Sequence, residues 1–456
     1  MSALRKRLGQ FASMESDETV DTLDVEVDEG GAPVDVDNLA ETAMVDAQED
    51  EAVVEEANEE NEDLTETADA LESFLNTAIY SAKKDGGWSR KEAYLAQIAV
   101  EQIFSKIGCA DVGTSMVSYE NYSDHGGNMN RVVSLENVIM DALKELWRKI
   151  KSVLNKMVAF VRKWYLKLLD GASRLKKRAQ AIKKSADGKS GSTDKKKLEG
   201  SSLLKQLHVN KKAQDATKIN GDLGIVKAFT GAVLSVRTAS TFDTALSTFV
   251  DSTDDSDDGT KVSTAFTALK GVLSVAALTG ASPTGSDKRY TNHGNTLKGS
   301  GELIGGKCIV TGTKQITGTI GGNEVSLDLP EAWVDDFSDK KVEVESGDLP
   351  MLSPSVVSGM CDKVIDILDD IINYKAGWDK YESAVKTFTK KMDKITDGKI
   401  DEDAKAKAET ARLGAKAGNA AVKSQGASAK AAISLGMSMS RSVLAYGNAC
   451  LGAYKN

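Results

Sequence analysis

Apolar residues recur at Ile139, Leu143, Leu146, Ile150, Val153, Met157, Phe160, Trp164 and Leu168. Steps of three and four residues place all nine on one side of an α-helix, a placement that no strand period allows. No proline occurs between Pro33 and Pro283, so no missing amide interrupts that helix. The spacing predicts one continuous helix over 137–184, about 70 Å long from the usual rise per residue. Lys149, Lys156, Arg162, Lys163 and Lys167 fall off the stripe. A chain containing such a helix must bury a long apolar seam and leave a long cationic surface beside it.

Charge divides the chain sharply. Residues 137–218 hold 22 Lys and Arg against 7 acids. Phe11–Glu72 holds 24 acids and no Lys or Arg. That run is too poor in apolar side chains to offset chain entropy, so residues 1–72 are expected to be a disordered acidic segment. The formal net charge of −10 therefore hides −22 on residues 1–136 and +12 on residues 137–456. Anything that separates the two parts changes what the chain attracts.

The remaining sequence suggests a mainly α protein with a small α+β module. Residues 73–136 read as a short helical segment followed by a Gly- and Asn-containing linker. Residues 137–215 combine the basic helix with a Lys-rich linker (185–202), taken as flexible. Residues 216–350 form a mixed module. Its first part is helical, Asp251–Asp258 is an acidic loop, and alternation around Gly321-Gly322-Asn323 predicts β-hairpins within 303–346. Residues 351–456 predict a helical hairpin. Ser353-Pro354 supplies its cap and first helical position. An Ala-, Gly- and Ser-rich second helix over 402–452 would pack antiparallel on the first, since small residues permit close approach.

Signals for catalysis or metal binding are weak. His125, His208 and His293 stand in polar settings without metal-ligand spacing. Gly188-Lys189-Ser190 lacks the first glycine of a phosphate loop, and residues 299–306 lack a dinucleotide fingerprint. Asp251–Gly259 resembles half a calcium loop, but Ala265 stands where the closing Glu belongs. Cys109, Cys308, Cys361 and Cys450 are far apart and read as buried apolar residues in a reducing compartment. The expectation is a non-enzyme with no cofactor and no metal. The start of the chain has no secretory h-region. The longest uncharged run, Gly271–Ser286, has 16 residues and is too short and polar to span a bilayer.

The basic helix admits three readings. Its stripe can pack into a bundle while its cations meet nucleic acid phosphates. It can lie on an anionic membrane through Trp147, Phe160, Trp164 and Tyr165. It can also be a core helix with a solvated basic face. On the first reading the DNA-contacting residues are Arg162, Lys163, Lys167, Arg174, Lys176, Lys177, Arg178, Lys183 and Lys184. Contacts of this kind carry no base specificity.

The order of an acidic N-terminal region, a Ser-x-Glu tripeptide and a Trp-containing basic amphipathic helix resembles the internal head proteins of phiKZ-like tailed bacteriophages. The resemblance covers about residues 1–180. It implies a virion protein packaged inside the head with double-stranded DNA, among other head proteins, and assembled in the host cytoplasm. It also implies that a prohead protease removes a propeptide after Ser/Ala/Gly-x-Glu. Candidate cleavage sites are Ser118-Tyr119-Glu120 and Ser134-Leu135-Glu136, the second directly before the basic helix. Ser13-Met14-Glu15 and Ala70-Leu71-Glu72 match the same tripeptide. The alternatives are an unprocessed interaction or scaffold protein, and a membrane-active protein injected with the DNA.

Overall fold

The computed structural model describes residues 60–71, 88–98 and 129–454. Within these ranges, residues 62, 69, 96, 190–191, 255–258, 275–296, 322, 338–343, 345 and 398–404 are not described. In the first long helix, side chains are described from Leu143 onward, Phe160 excepted. That helix, α1, runs Met129–Gly188 and has 60 residues. From Leu143 to Leu168 every stripe residue with a described side chain is buried. The burial continues through Ala172, Leu175, Ala179, Ile182 and Ala186 at the same spacing, which explains why the helix outruns the sequence stripe. It also starts earlier than its first stripe residue. Residues 129–136, expected as the end of a linker, are helical.

The helix α6 (Pro354–Asp397) lies antiparallel along α1. Ser353 caps it, its Oγ accepting from the Val356 amide at 3.4 Å. Three ion pairs fix the alignment: Arg162 with Glu382, Lys176 with Asp369, and Lys183 with Asp362. The last two follow each other at seven-residue steps on both helices, the heptad period of close antiparallel packing. Tyr165 is buried between the two helices and donates to the Ile371 carbonyl at 2.9 Å.

The final helix, α7, spans Lys405–Leu451 and is buried around nearly its whole circumference from Glu409 to Tyr446. Its composition follows from that position. A helix enclosed on all sides needs small residues wherever a neighbour crosses closely. Gly447 lies against Val357, Gly436 against Ile367 and Ile371, Gly426 against Tyr381, and Gly418 against Phe388. These pairs run antiparallel along α6, as the sequence predicts.

Three shorter helices complete the helical layer: α3 (Ala216–Leu234), α4 (Val236–Asp254) and α5 (Gly259–Leu273). Asp215 caps α3 by accepting from the Lys218 amide. Phe242 of α4 stacks on Tyr381 of α6, and Phe249 meets Phe266 of α5 edge-on. The expected acidic loop is helical as far as Asp254, and Asp251 pairs with Lys391; residues 255–258 lie outside the described ones.

The hairpin consists of β3 (Lys307–Ile320) and β4 (Asn323–Asp336), joined at Gly321 with φ +59°. Ile320 pairs with Asn323, so the loop has two residues, as the Gly-Gly-Asn sequence predicts. A two-residue strand, β2 (Lys298–Gly299), borders β3. The hairpin packs on α7, where Ser424 and Ser428, one turn apart, donate to the carbonyls of Pro330 and Ala332. The Lys-rich linker contains a further strand. Lys197–Ser201 (β1) pairs antiparallel with Gly347–Pro350 (β5), and a short turn of helix, α2 (Leu204–Leu207), follows β1. Alternation over five residues that include Lys and Gly is too faint to reveal it.

The expected acidic tail also ends differently. The described residues of 60–71 are helical, and Leu64, Ala68 and Leu71 are buried in the main core together with Trp88 and Ala93. Three or four residues separate each of these apolar positions in 64–71, enough for one helical face despite the surrounding acids. The other residues of the expected tail, and most of the helical segment and linker expected over 73–136, lie outside the described residues.

Candidate polyanion-binding groove

Most of the charge on α1 lies away from the core, as the stripe dictates, but the nine candidate DNA-contacting residues do not form one uniform surface. Lys176 and Lys183 point toward α6 and engage Asp369 and Asp362 at 2.5 and 2.6 Å. The hydrogen bond to Asp362 raises the Lys183 pKa. Arg174 pairs with Asp170 one turn earlier, and Arg178 is half-buried. Lys177 and Lys184 are exposed on the outer face.

Arg162, Lys163 and Lys167 converge on a groove of about 890 Å³ between α1 and α6. Lys151 completes the α1 wall, and Lys386 and Lys390 supply the opposite one. The floor includes Val158, Ala159, Leu166 and Val385, and Leu166 is 42% exposed. Among the described residues, Glu382 is the one carboxylate lining the groove. It accepts from Arg162 at 3.2 Å and from Lys386 at 2.6 Å, which ties the two walls together. Six cations and one acid give the groove a strong positive potential, and its low-dielectric floor focuses that field.

Lys386 and Lys390 escape a sequence reading because they lie more than 200 residues from Arg162. The only local signal is their spacing of four on a helix, which puts both on one face. Of the four anchors of the membrane reading, Trp147, Trp164 and Tyr165 are buried in the core, and the side chain of Phe160 is not among those described. No single helix among the described residues is long and apolar enough to cross a membrane.

The other motifs serve the fold. Gly188 ends α1, and Lys189 donates to the Tyr454 carbonyl. Gly301, Gly305 and Gly306 take positive φ in the loop before β3. Cys308, Cys361 and Cys450 are buried and form no disulfide with one another, and burial pushes Cys361 up to about 11. Cys109 lies outside the described residues. No three His, Cys, Asp or Glu side chains come together to hold a metal among the described residues. Of the cleavage candidates, Ser134, Leu135 and Glu136 lie within the first turns of α1. Ser118, Tyr119 and Glu120 lie outside the described residues.

Lys176 and Lys183 lie on the same helix as Arg162, Lys163 and Lys167 of the groove but are held by α6, which gives a test. Asp362→Asn with Asp369→Asn should release Lys183 and Lys176 from α6. These pairs are exposed to solvent screening, so little stability should be lost. If the basic side of α1 meets nucleic acid, duplex DNA affinity should rise about tenfold as two more cations become available. Urea unfolding and fluorescence anisotropy check the two effects separately.

A mainly helical bundle with a small antiparallel sheet module and a cationic interhelical groove defines the structural class of this protein. Within that class, the family whose model matches the chain is the phiKZ-like phage internal head proteins, over residues 18–455. The chain belongs to that family, so it is a virion protein located inside the phage head. The match extends the resemblance, seen in the sequence over about residues 1–180, to the helical hairpin at the other end. No curated protein sequence and no solved structure matches the chain.

Proposed function

We propose that this internal head protein associates with packaged double-stranded DNA through sequence-independent phosphate contacts at the α1–α6 groove. The observation that carries the reading is the convergence of six cations from two helices on one groove with a single carboxylate among its described lining residues. A duplex laid across the groove would bring phosphates to both walls, while Lys177 and Lys184 extend the contact along α1. The 24 acids of Phe11–Glu72 compete for these cations at the high effective concentration of a single chain. Cleavage by the prohead protease at Ser-x-Glu would therefore activate DNA association, and would occur after assembly in the host cytoplasm has delivered the chain to the head.

Ser118-Tyr119-Glu120 is the better of the two cleavage candidates. Ser134-Leu135-Glu136 is helical and would have to unwind before entering a protease cleft. Glu120→Gln with Glu136→Gln should leave full-length protein in mature heads, as read by intact mass. Normal processing of that double variant would refute the cleavage proposal. One observation favours the rival reading of an unprocessed interaction protein: Leu64, Leu71 and Trp88 lie in the core. On that reading the wild-type mass in mature heads is already full length.

A further inference from the structure

We propose that residues 60–71 are a separable stave of the bundle, which stays seated on α7 after the chain is cut behind it, so that scission and release are distinct steps. This goes beyond DNA association and does not depend on which protease makes the cut.

The helix α7 is enclosed, and at Asn419 its cover is this segment. Asn419 Nδ2 donates to Asn61 Oδ1 at 2.9 Å and to Thr65 Oγ1 at 3.3 Å. Asn61 and Leu71 are fully buried, and Leu64 and Ala68 are buried on the same side of the segment. The partner residue is 358 positions away, so the seam is tertiary and survives loss of the intervening link. The body has its own closures. The α1–α6 ion pairs, the α6–α7 glycine crossings and the hairpin on α7 all lie after Met129. None of these closures involves a residue of the segment.

The seam is also built to open. Among the described residues, Asn61 Nδ2 and Asn419 Oδ1 are buried without a hydrogen-bond partner. A half-satisfied amide pair in an otherwise apolar contact costs more than an apolar pair of the same shape. It makes this stave a weakly held cover of α7, while four buried side chains still hold it in place. The acidic run is covalently continuous with the segment. While the stave is seated, the run stays attached to the body and competes for its cations at high effective concentration whether or not the chain is cut.

The test inserts a recognition sequence for a site-specific protease after Gly113 in the full chain. The N-terminal fragment then carries 28 acids and 8 bases up to the insertion. After cutting, the two pieces should co-elute on a sizing column at low micromolar concentration and separate in denaturant. Elution of the wild-type pieces apart would overturn the proposal. Leu64→Asp with Leu71→Asp places charges on the seam and should separate the cut pieces. Co-elution persisting in that variant would overturn the proposal too, by locating the attachment elsewhere. Leu64→Ala with Leu71→Ala leaves no buried charge and should speed fragment dissociation about tenfold or more; an unchanged rate counts against the seam. Because the cut is introduced, a failure here is distinct from a failure of head-protease processing or of DNA binding.

Discussion

Glutamine at Lys151, Arg162, Lys163, Lys167, Lys386 and Lys390 is expected to abolish most of the affinity for random-sequence duplex DNA. The form measured is the one freed of its N-terminal segment. If about six side chains reach phosphates together, log K falls with log salt at a slope near −5. Removing those contacts should flatten the slope toward zero and lower affinity about 10³-fold at low salt. The residual Glu382 would add repulsion, since Arg162 and Lys386 no longer engage it. The fold should persist, because the substituted side chains line a groove and the apolar stripe of α1 is untouched. Anisotropy titrations across roughly 50–200 mM salt, with circular dichroism as the folding control, check both halves. Wild-type affinity in the variant would place the DNA contacts outside the groove.

The choice of those six residues shows what the sequence can and cannot reveal. The stripe from Ile139 to Leu168 predicts a helix, its buried side and its charged side, because all three follow from one period. Gly321-Gly322-Asn323 predicts the hairpin turn because few residues tolerate its backbone. The partner of the charged side is not legible. Asp362 and Asp369 take Lys183 and Lys176 into interhelical ion pairs, while Lys386 and Lys390 join Arg162 at the groove. Both changes depend on the antiparallel alignment of helices separated by some 200 residues. Residues 60–71 depart from expectation for a related reason. A composition average over the acidic run hides three apolar residues on one face, and their burial depends on a tertiary core that no local pattern describes. The central place of α7 is half visible: its small residues predict close approach, but not enclosure from every side.

Phe388→Ala should destabilise the protein by about 3–5 kcal/mol, since the ring is 1% exposed and its loss leaves a cavity at the α6–α7 crossing. Gly418→Ala should cost about 1–3 kcal/mol alone, because the added Cβ meets the Phe388 ring inside normal contact distance. The two changes should not add. With the ring gone, the new methyl enters vacated space, so Gly418→Ala should cost less by about 1 kcal/mol or more in the Phe388→Ala background. Guanidinium unfolding of the four proteins yields the coupling. Additive costs would mean that these residues do not meet, and the antiparallel register of α6 on α7 would be wrong.

The most direct measurement compares DNA affinity over a salt series for three forms of the chain bearing the inserted cleavage site. These are the uncut chain, the cut chain with its N-terminal fragment seated, and the Leu64→Asp, Leu71→Asp chain cut and cleared of the fragment. The freed body should bind duplex DNA most tightly, with a slope near −5. The other two should bind more weakly and alike, because the acidic run is still attached in both. Equal affinity in all three forms, or a freed body whose binding is indifferent to salt, would contradict the account and leave the basic side of α1 as a solvated helix surface.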